Sequence, residues 1–222
     1  MLDLTLEVNE RATALVAILQ QQGAVAADKA VEVVADKEGD KSAAKLIGRL
    51  PAVVVADIVV QFDYTKPSIV GMIVTPKQLR KVVERLPLMD QENRISDVLC
   101  GVILHEDDTR KRKAFLSEFT RNEIGIGLLA IALEGDEFIS FIKTGSFSSG
   151  EDAEKATSEN IDFGGKQELA FALKEYSGVA AKKVASVMSQ EGMQKHVIAT
   201  IRSLFGNESG TNSDDNPYAK FL

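Results

Sequence analysis

The residues of this chain that could do chemistry are two histidines and an acidic run beside the first of them. His105 is followed directly by Glu106, Asp107 and Asp108, and imidazole and carboxylate groups are common metal ligands. The second histidine, His196, lies about 90 positions further along the chain. A metal-dependent enzyme would need further ligands to converge on this run. The run is also typical of a helix end followed by the acidic residues that begin the next helix.

The other signals of catalysis are missing from the sequence. Cys100 is the only cysteine, so no intrachain disulfide can form, and its apolar surroundings "SDVLCGVIL" predict a buried thiol. We find no phosphate-binding loop, dinucleotide fingerprint, zinc-ligand spacing or nucleophile elbow. The run "GIG" at 125–127 lies in an apolar segment and predicts a close approach of two helices. We therefore expect no catalytic residue, no cofactor and no metal.

Composition and charge narrow the class of partner. The chain has 222 residues, of which 45% are hydrophobic and 27% charged, which is typical of a globular protein. Its net charge of -7 argues against nucleic acid as the partner, since phosphate contacts need clustered cations. The exception is the basic run Arg110, Lys111, Arg112 and Lys113. This run is either a solvated helix face or a binding patch for phosphate or an acidic partner.

The sequence carries no sign of export or membrane insertion. It begins with the acidic segment "MLDLTLEVNERA", whereas a signal peptide has a basic start and an apolar core. No apolar run approaches the ~20 residues that span a bilayer. We therefore expect a cytoplasmic protein, and docking on a membrane-associated complex stays compatible with this expectation.

Hydrophobic periodicity predicts an all-α protein. Apolar residues recur at helical spacing along most of the chain, and "TPKQLRKVVERLP" is the clearest example, with Thr75 as the cap and Pro76 in the first turn. Ser42 is expected to cap an earlier helix. The β-branched runs at 53–62 and 68–74 fit either strands or helices. We favour helices there because the surrounding sequence is helical.

Composition also divides the chain into segments. We expect a helical domain at 1–144, a linker or long loop at 145–165 that is rich in Gly, Ser and acid, and C-terminal helices at 166–205. The polar stretch 206–222 is expected to be a disordered tail. Its apolar side chains are suited to a docking motif, although an end segment without a partner is the simpler alternative. These side chains are Tyr218, Phe221 and Leu222.

Two similar stretches, "KLIGRLP" and "KVVERLP", lie about 36 positions apart, a spacing found in stacked-helix repeats. They predict short helices that end in Leu-Pro and stack as a helical-repeat-like superhelix, with a C-terminal helical segment beyond it. Two copies are compatible with such an architecture but do not establish it.

Residues 41–90 resemble the cytosolic N-terminal helical domain of magnesium-transporter proteins and the flagellar motor switch family. In those families short helices end in Leu-Pro, and the next helix carries an Ala-Asp-Ile-aliphatic stretch that ends in Leu-Asp. Here Leu50-Pro51, the run 56–59 and Phe62-Asp63 match that form, and Leu86-Pro87 repeats the stop. The stretch "YTKPSIVGMIVTP" departs from it. The resemblance implies a superhelix used for docking or assembly, and no membrane segment follows that would suggest a transporter.

The features above favour a non-enzymatic interaction protein: an adaptor, a chaperone-like factor or a subunit of a larger assembly with a protein partner. One alternative is a metal-dependent enzyme with a site near His105. The other is a regulatory subunit that forms a homo-oligomer through the Ala- and Val-rich face of 165–205.

Overall fold

The computed structural model describes residues 2–60, 69–89, 91–106, 108–147 and 165–205. The described part is built of α-helices and short 3-10 turns and contains no strand, which confirms the all-α prediction. The α-helices are α1 (Val8–Gln22), α2 (Ala24–Glu38), α3 (Asp40–Ile47), α4 (Ala52–Val60), α5 (Ile69–Ile73), α6 (Pro76–Arg85), α7 (Ile95–Leu104), α8 (Thr109–Thr120), α9 (Glu123–Ala132), α10 (Asp136–Thr144), α11 (Lys166–Tyr176), α12 (Gly178–Met188) and α13 (Met193–Phe205).

The two β-branched runs form helices where the structure describes them. α4 buries Val54, Val55 and Ile58 completely or nearly so, and its other faces are also largely covered. The burial of apolar side chains between neighbouring helices therefore outweighs the modest preference of valine and isoleucine for strands. The ends of the two runs, at 61–62 and 68, lie outside the described residues.

Helix starts follow local capping chemistry, with one departure from the prediction. The prediction was right for α6, where Thr75 Oγ1 accepts a hydrogen bond from the Gln78 amide at 3.3 Å. It was wrong for Ser42, which lies inside α3, because Gly39 at φ 85° already turns the chain and starts the helix. At α8 the cap is Asp108, whose carboxylate accepts from the Arg110 amide at 2.8 Å.

One hydrophobic core runs through the described residues. α1, α2 and α3 pack together at one end, α4, α6, α8 and α9 form the middle, and α11, α12 and α13 pack against α7 and α9. Every residue of α9 from 125 to 132 is buried, which makes it the central helix. The largest fully buried side chains are Phe115, Phe119 and Phe141.

A glycine in α9 sets the distance to the last helix. A methyl group added at Gly127 would lie 2.5 Å from Cγ2 of Val197 in α13, which is closer than carbon atoms can approach. The predicted close helix approach at "GIG" is therefore confirmed. Only glycine at this position lets α13 pack directly on α9.

Ion pairs and hydrogen bonds join distant segments. Arg202 of α13 donates to the Pro87 carbonyl at 3.1 Å and to Glu92 at 2.7 Å. Arg80 of α6 contacts Glu84 at 2.8 Å and Glu118 of α8 at 3.5 Å. These contacts hold α13 and α8 against the middle of the chain.

The structure describes only part of the segments that composition predicted. The helices of 166–205 contribute Leu169, Leu173 and Ile201 to the same core as the helices of 1–144. Of the predicted linker at 145–165, residues 148–164 lie outside the described residues, as does the whole tail at 206–222. No helix in the described ranges combines the length and apolar character needed to cross a bilayer.

Candidate functional site

The acidic run after His105 forms the turn between α7 and α8. One Glu106 oxygen accepts from the Asp108 amide at 3.0 Å, and the other lies 2.5 Å from Nζ of Lys111. Asp108 caps α8, while Asp107 lies outside the described residues. Across the described ranges, no three His, Cys, Asp or Glu residues are grouped so that they could hold a metal. The described carboxylates of this run therefore hold the turn.

Half of the basic run at 110–113 is also part of that turn. The Arg112 guanidinium donates to the Glu106 carbonyl at 2.7 Å and 3.2 Å, so it satisfies a backbone acceptor just beyond the end of α7. Lys111 pairs with Glu106, whereas Arg110 and Lys113 are exposed to solvent. A partner that binds here would thus find two cations outside the contacts of the turn rather than four.

The lone cysteine is buried against the start of α11. Burial raises the pKa of the Cys100 thiol to about 11, and Ser96 Oγ lies 4.0 Å from its sulfur. A methyl group at Gly165 would lie 3.2 Å from Cβ of Cys100, so this contact is tight. The thiol is protonated at neutral pH, as expected for a core residue and not for a nucleophile.

A groove of about 590 Å³ lies between two helix–helix turns that are far apart in the sequence. One wall is the end of α9 and the start of α10, and the other is the end of α12 and the start of α13. About half of the groove lining is apolar, and we call its apolar side chains the floor. The floor side chains are Ala130, Ile131, Ile139, Met188 and Met193.

Two glycines shape the walls of this groove. Gly135 at φ 137° separates α9 from α10, and Gly192 at φ 72° separates α12 from α13. Residues with a Cβ rarely adopt such positive φ values, so these glycines allow the sharp turns. Gly192 thus divides the stretch 178–205 into two helices.

The rim of the groove is acidic. Glu134, Asp136 and Glu191 are exposed around the opening, and Lys195 is the cation among its lining residues. Side chains of both turns therefore place an excess of negative charge above the apolar floor. An occupant with apolar side chains and a surplus of cations would complement this surface.

A partly exposed aromatic cluster lies between α10 and α11. Phe141 and Phe147 stack with ring centroids 4.2 Å apart, and Phe171 of α11 packs edge-on at 4.8 Å from Phe141. Lys174 lies 4.2 Å above the Phe141 ring. Phe171 is 54% exposed, so the cluster ties α10 to α11 and also reaches the surface.

The sequence-based candidates and the groove are different residues. Tyr218, Phe221 and Leu222 lie outside the described residues, and the basic run 110–113 lies at the α7–α8 turn. The groove was missed because its walls come from residues 130–139 and 188–195, which no local pattern connects. The only sequence signal of the groove was the presence of Met188 and Met193 near Gly192.

Comparison of the chain with models of known protein families, with curated proteins and with solved structures finds no match.

Proposed function

We propose that this chain is a non-enzymatic adaptor that docks a basic amphipathic helix of a protein partner in the groove between the α9–α10 and α12–α13 turns. The observation that carries the proposal is the combination of an apolar floor with an acidic rim. Under this proposal the adaptor acts in the cytoplasm. Its single cysteine, Cys100, cannot form an intrachain disulfide, so the fold does not need an oxidising compartment.

The floor supplies the affinity. Methionine is unbranched and polarizable, so Met188 and Met193 adapt their shape to different apolar side chains. Grooves of this kind receive the apolar face of a helix, whose anchors recur at i, i+3, i+4 and i+7. Ile131 and Ile139 provide the rigid part of the same surface.

The rim selects the sign of the partner's charge. Glu134, Asp136 and Glu191 attract lysine and arginine side chains on the flanks of a docked helix and repel acidic ones. Exposed ion pairs add only ~0.2–1 kcal/mol each, so the rim governs selectivity and association rate more than affinity.

The test uses a designed helical peptide of about 14 residues with Leu at i, i+3, i+4 and i+7 and Lys elsewhere. We expect roughly micromolar binding by calorimetry, and at least tenfold weaker binding when Glu replaces every Lys. The combined variant Glu134→Lys, Asp136→Lys and Glu191→Lys should lose at least tenfold in affinity for the Lys peptide.

The control reverses three exposed acids on α2 and α3, which contact neither wall of the groove. The variant Glu32→Lys, Asp36→Lys and Asp40→Lys has the same net charge as the groove variant. It should keep the affinity of the original chain. Equal losses in both variants, or no preference between the Lys and Glu peptides, would overturn the proposal.

A further inference from the structure

The helices α3 and α6 carry matching stripes of exposed cations. Lys41, Lys45 and Arg49 follow one another at intervals of four residues along α3 and the turn after it. Lys77 and Lys81 occupy the corresponding positions of α6. All five of these side chains are exposed. Residues four apart are separated by about 6 Å along the helix axis and about 40° around it, so each stripe is a row of positive charge that winds slowly around its helix.

Helix stability does not explain these stripes. Lys41 and Lys77 are each the second residue of their helix, where the helix dipole disfavours a positive charge. Like charges four residues apart also repel one another. Both helices therefore keep cations at positions that weaken the isolated helix, which points to a counter-charge outside the helix.

The chain itself supplies no such counter-charge in its described part. None of Lys41, Lys45, Arg49, Lys77 and Lys81 forms an ion pair with another described residue. Arg80, which lies between the two lysines of α6, instead turns to Glu84 and Glu118.

A hydrogen bond joins the end of α3 to the start of α6. The Gln78 side chain at the start of α6 donates to the Ile47 carbonyl at the end of α3, at 3.2 Å. Arg49 lies two residues beyond that carbonyl and Lys77 one residue before that glutamine. The end of α3 thus adjoins the start of α6, and we call the five exposed cations of these two neighbouring segments the basic ridge.

We infer that this basic ridge, made of Lys41, Lys45, Arg49, Lys77 and Lys81, binds an acidic helix of a protein partner. A helix with Glu at every fourth position presents its carboxylates at the same spacing of about 6 Å. The inference adds a second docking surface, and it does not depend on the groove. A chain with one acidic and one basic surface can hold two partners of opposite charge together.

A protein helix fits the ridge better than nucleic acid does. The whole chain carries a net charge of -7, which repels the dense and continuous negative charge of a nucleic acid at long range. A single helix with a row of carboxylates is short enough to contact the basic ridge and little of the acidic remainder of the surface. Nucleic acid is therefore one outcome that would overturn the inference.

The probe is an Ala- and Gln-rich helical peptide of about 20 residues with Glu at every fourth position. Titration into the full chain at low ionic strength, followed by amide chemical shifts, should move signals of α3 and α6 first. Because the contacts are exposed ion pairs, the affinity should fall steeply as salt is added. A peptide of the same composition with Glu spread around the helix should bind at least fivefold more weakly.

The matched variants reverse four lysines on the ridge or four elsewhere. Lys41→Glu, Lys45→Glu, Lys77→Glu and Lys81→Glu together should abolish the shifts. The control changes the exposed lysines Lys29, Lys113, Lys182 and Lys183 to Glu and should retain at least half of the affinity. The inference fails if both variants lose binding equally, if shifts scatter over other helices, or if duplex DNA binds the ridge and the peptide does not.

The experiments test the groove proposal and the ridge inference separately. The Lys-rich peptide and its rim variant report on the groove, whereas the Glu-rich peptide and its lysine variants report on the ridge. Loss of the first interaction alone removes the proposed function, and loss of the second alone removes this inference.

Discussion

At the scale of single residues, the Cys100 thiol should make stability depend on alkaline pH. Burial raises the pKa of this thiol from 9.0 to about 11. Between these values the unfolded chain loses the thiol proton and the folded chain keeps it, so the stabilising contribution present below pH 9 is lost as pH rises. The loss amounts to about 2 kcal/mol at pH 11.

Urea unfolding at pH 8 and pH 10.5 measures this effect. Tyrosine and lysine also titrate in this range, so the comparison is with Cys100→Ala, whose stability should fall less between the two pH values. Parallel falls in the two proteins would show that the thiol is not buried in the way described here.

Residues that looked functional in the sequence can have structural roles. The run at 105–113 combined a histidine, acids and cations, and its described members mostly hold the α7–α8 turn through Glu106, Asp108 and Arg112. Helix ends need acceptors and donors of the same types as metal and anion sites do. Composition therefore could not distinguish a helix end from a metal or anion site, whereas hydrogen-bond geometry does.

At the scale of helices, the contact between α9 and α13 depends on one glycine. Gly127→Ala would place a methyl group 2.5 Å from Val197 Cγ2, so the two helices must separate. We expect a destabilisation of about 1–3 kcal/mol, measured by urea unfolding, as is common for overpacked cores. The double variant with Val197→Ala should recover part of the loss, because the smaller side chain makes room for the methyl group. Additive losses in the double variant would contradict this packing.

The sequence was sufficient for the helices and insufficient for their arrangement. Apolar spacing and the Thr75 cap predicted α6 correctly, because those signals are local. Ser42 misled the prediction because a glycine with positive φ, Gly39, started α3 first. The groove needed knowledge of which turns meet, and contacts between residues 60 positions apart leave no periodic trace.

The cation stripes on α3 and α6 could be read only in part from the sequence. α3 begins at Asp40 and α6 at Pro76, so the shared register of "KLIGRLP" and "KVVERLP" extends back to Lys41 and Lys77. The pattern was therefore present in the sequence. Its meaning required the exposure of the lysines and the hydrogen bond between Gln78 and Ile47.

At the scale of the whole molecule, the helices of 166–205 should not be separable from the helices that precede residue 147. α11, α12 and α13 bury Leu173, Val184 and Ile201 in a core that they share with α7 and α9. Two co-expressed pieces, 1–150 and 160–222, should therefore co-purify as one particle with the helical content of the intact chain. Two pieces that are each stable, monomeric and unassociated would instead support independent domains.

The position of α13 has a consequence for the timing of synthesis. One groove wall includes the start of α13, which Gly127 and the Arg202 contacts to Pro87 and Glu92 hold in place. A nascent chain emerges from its N-terminus at about 5–20 residues per second, so α9 and α10 are released before the opposite wall exists. Meanwhile α9 keeps an uncovered apolar face. This face of α9 is therefore open to wrong contacts during synthesis, and the groove becomes complete only once α13 has left the ribosome.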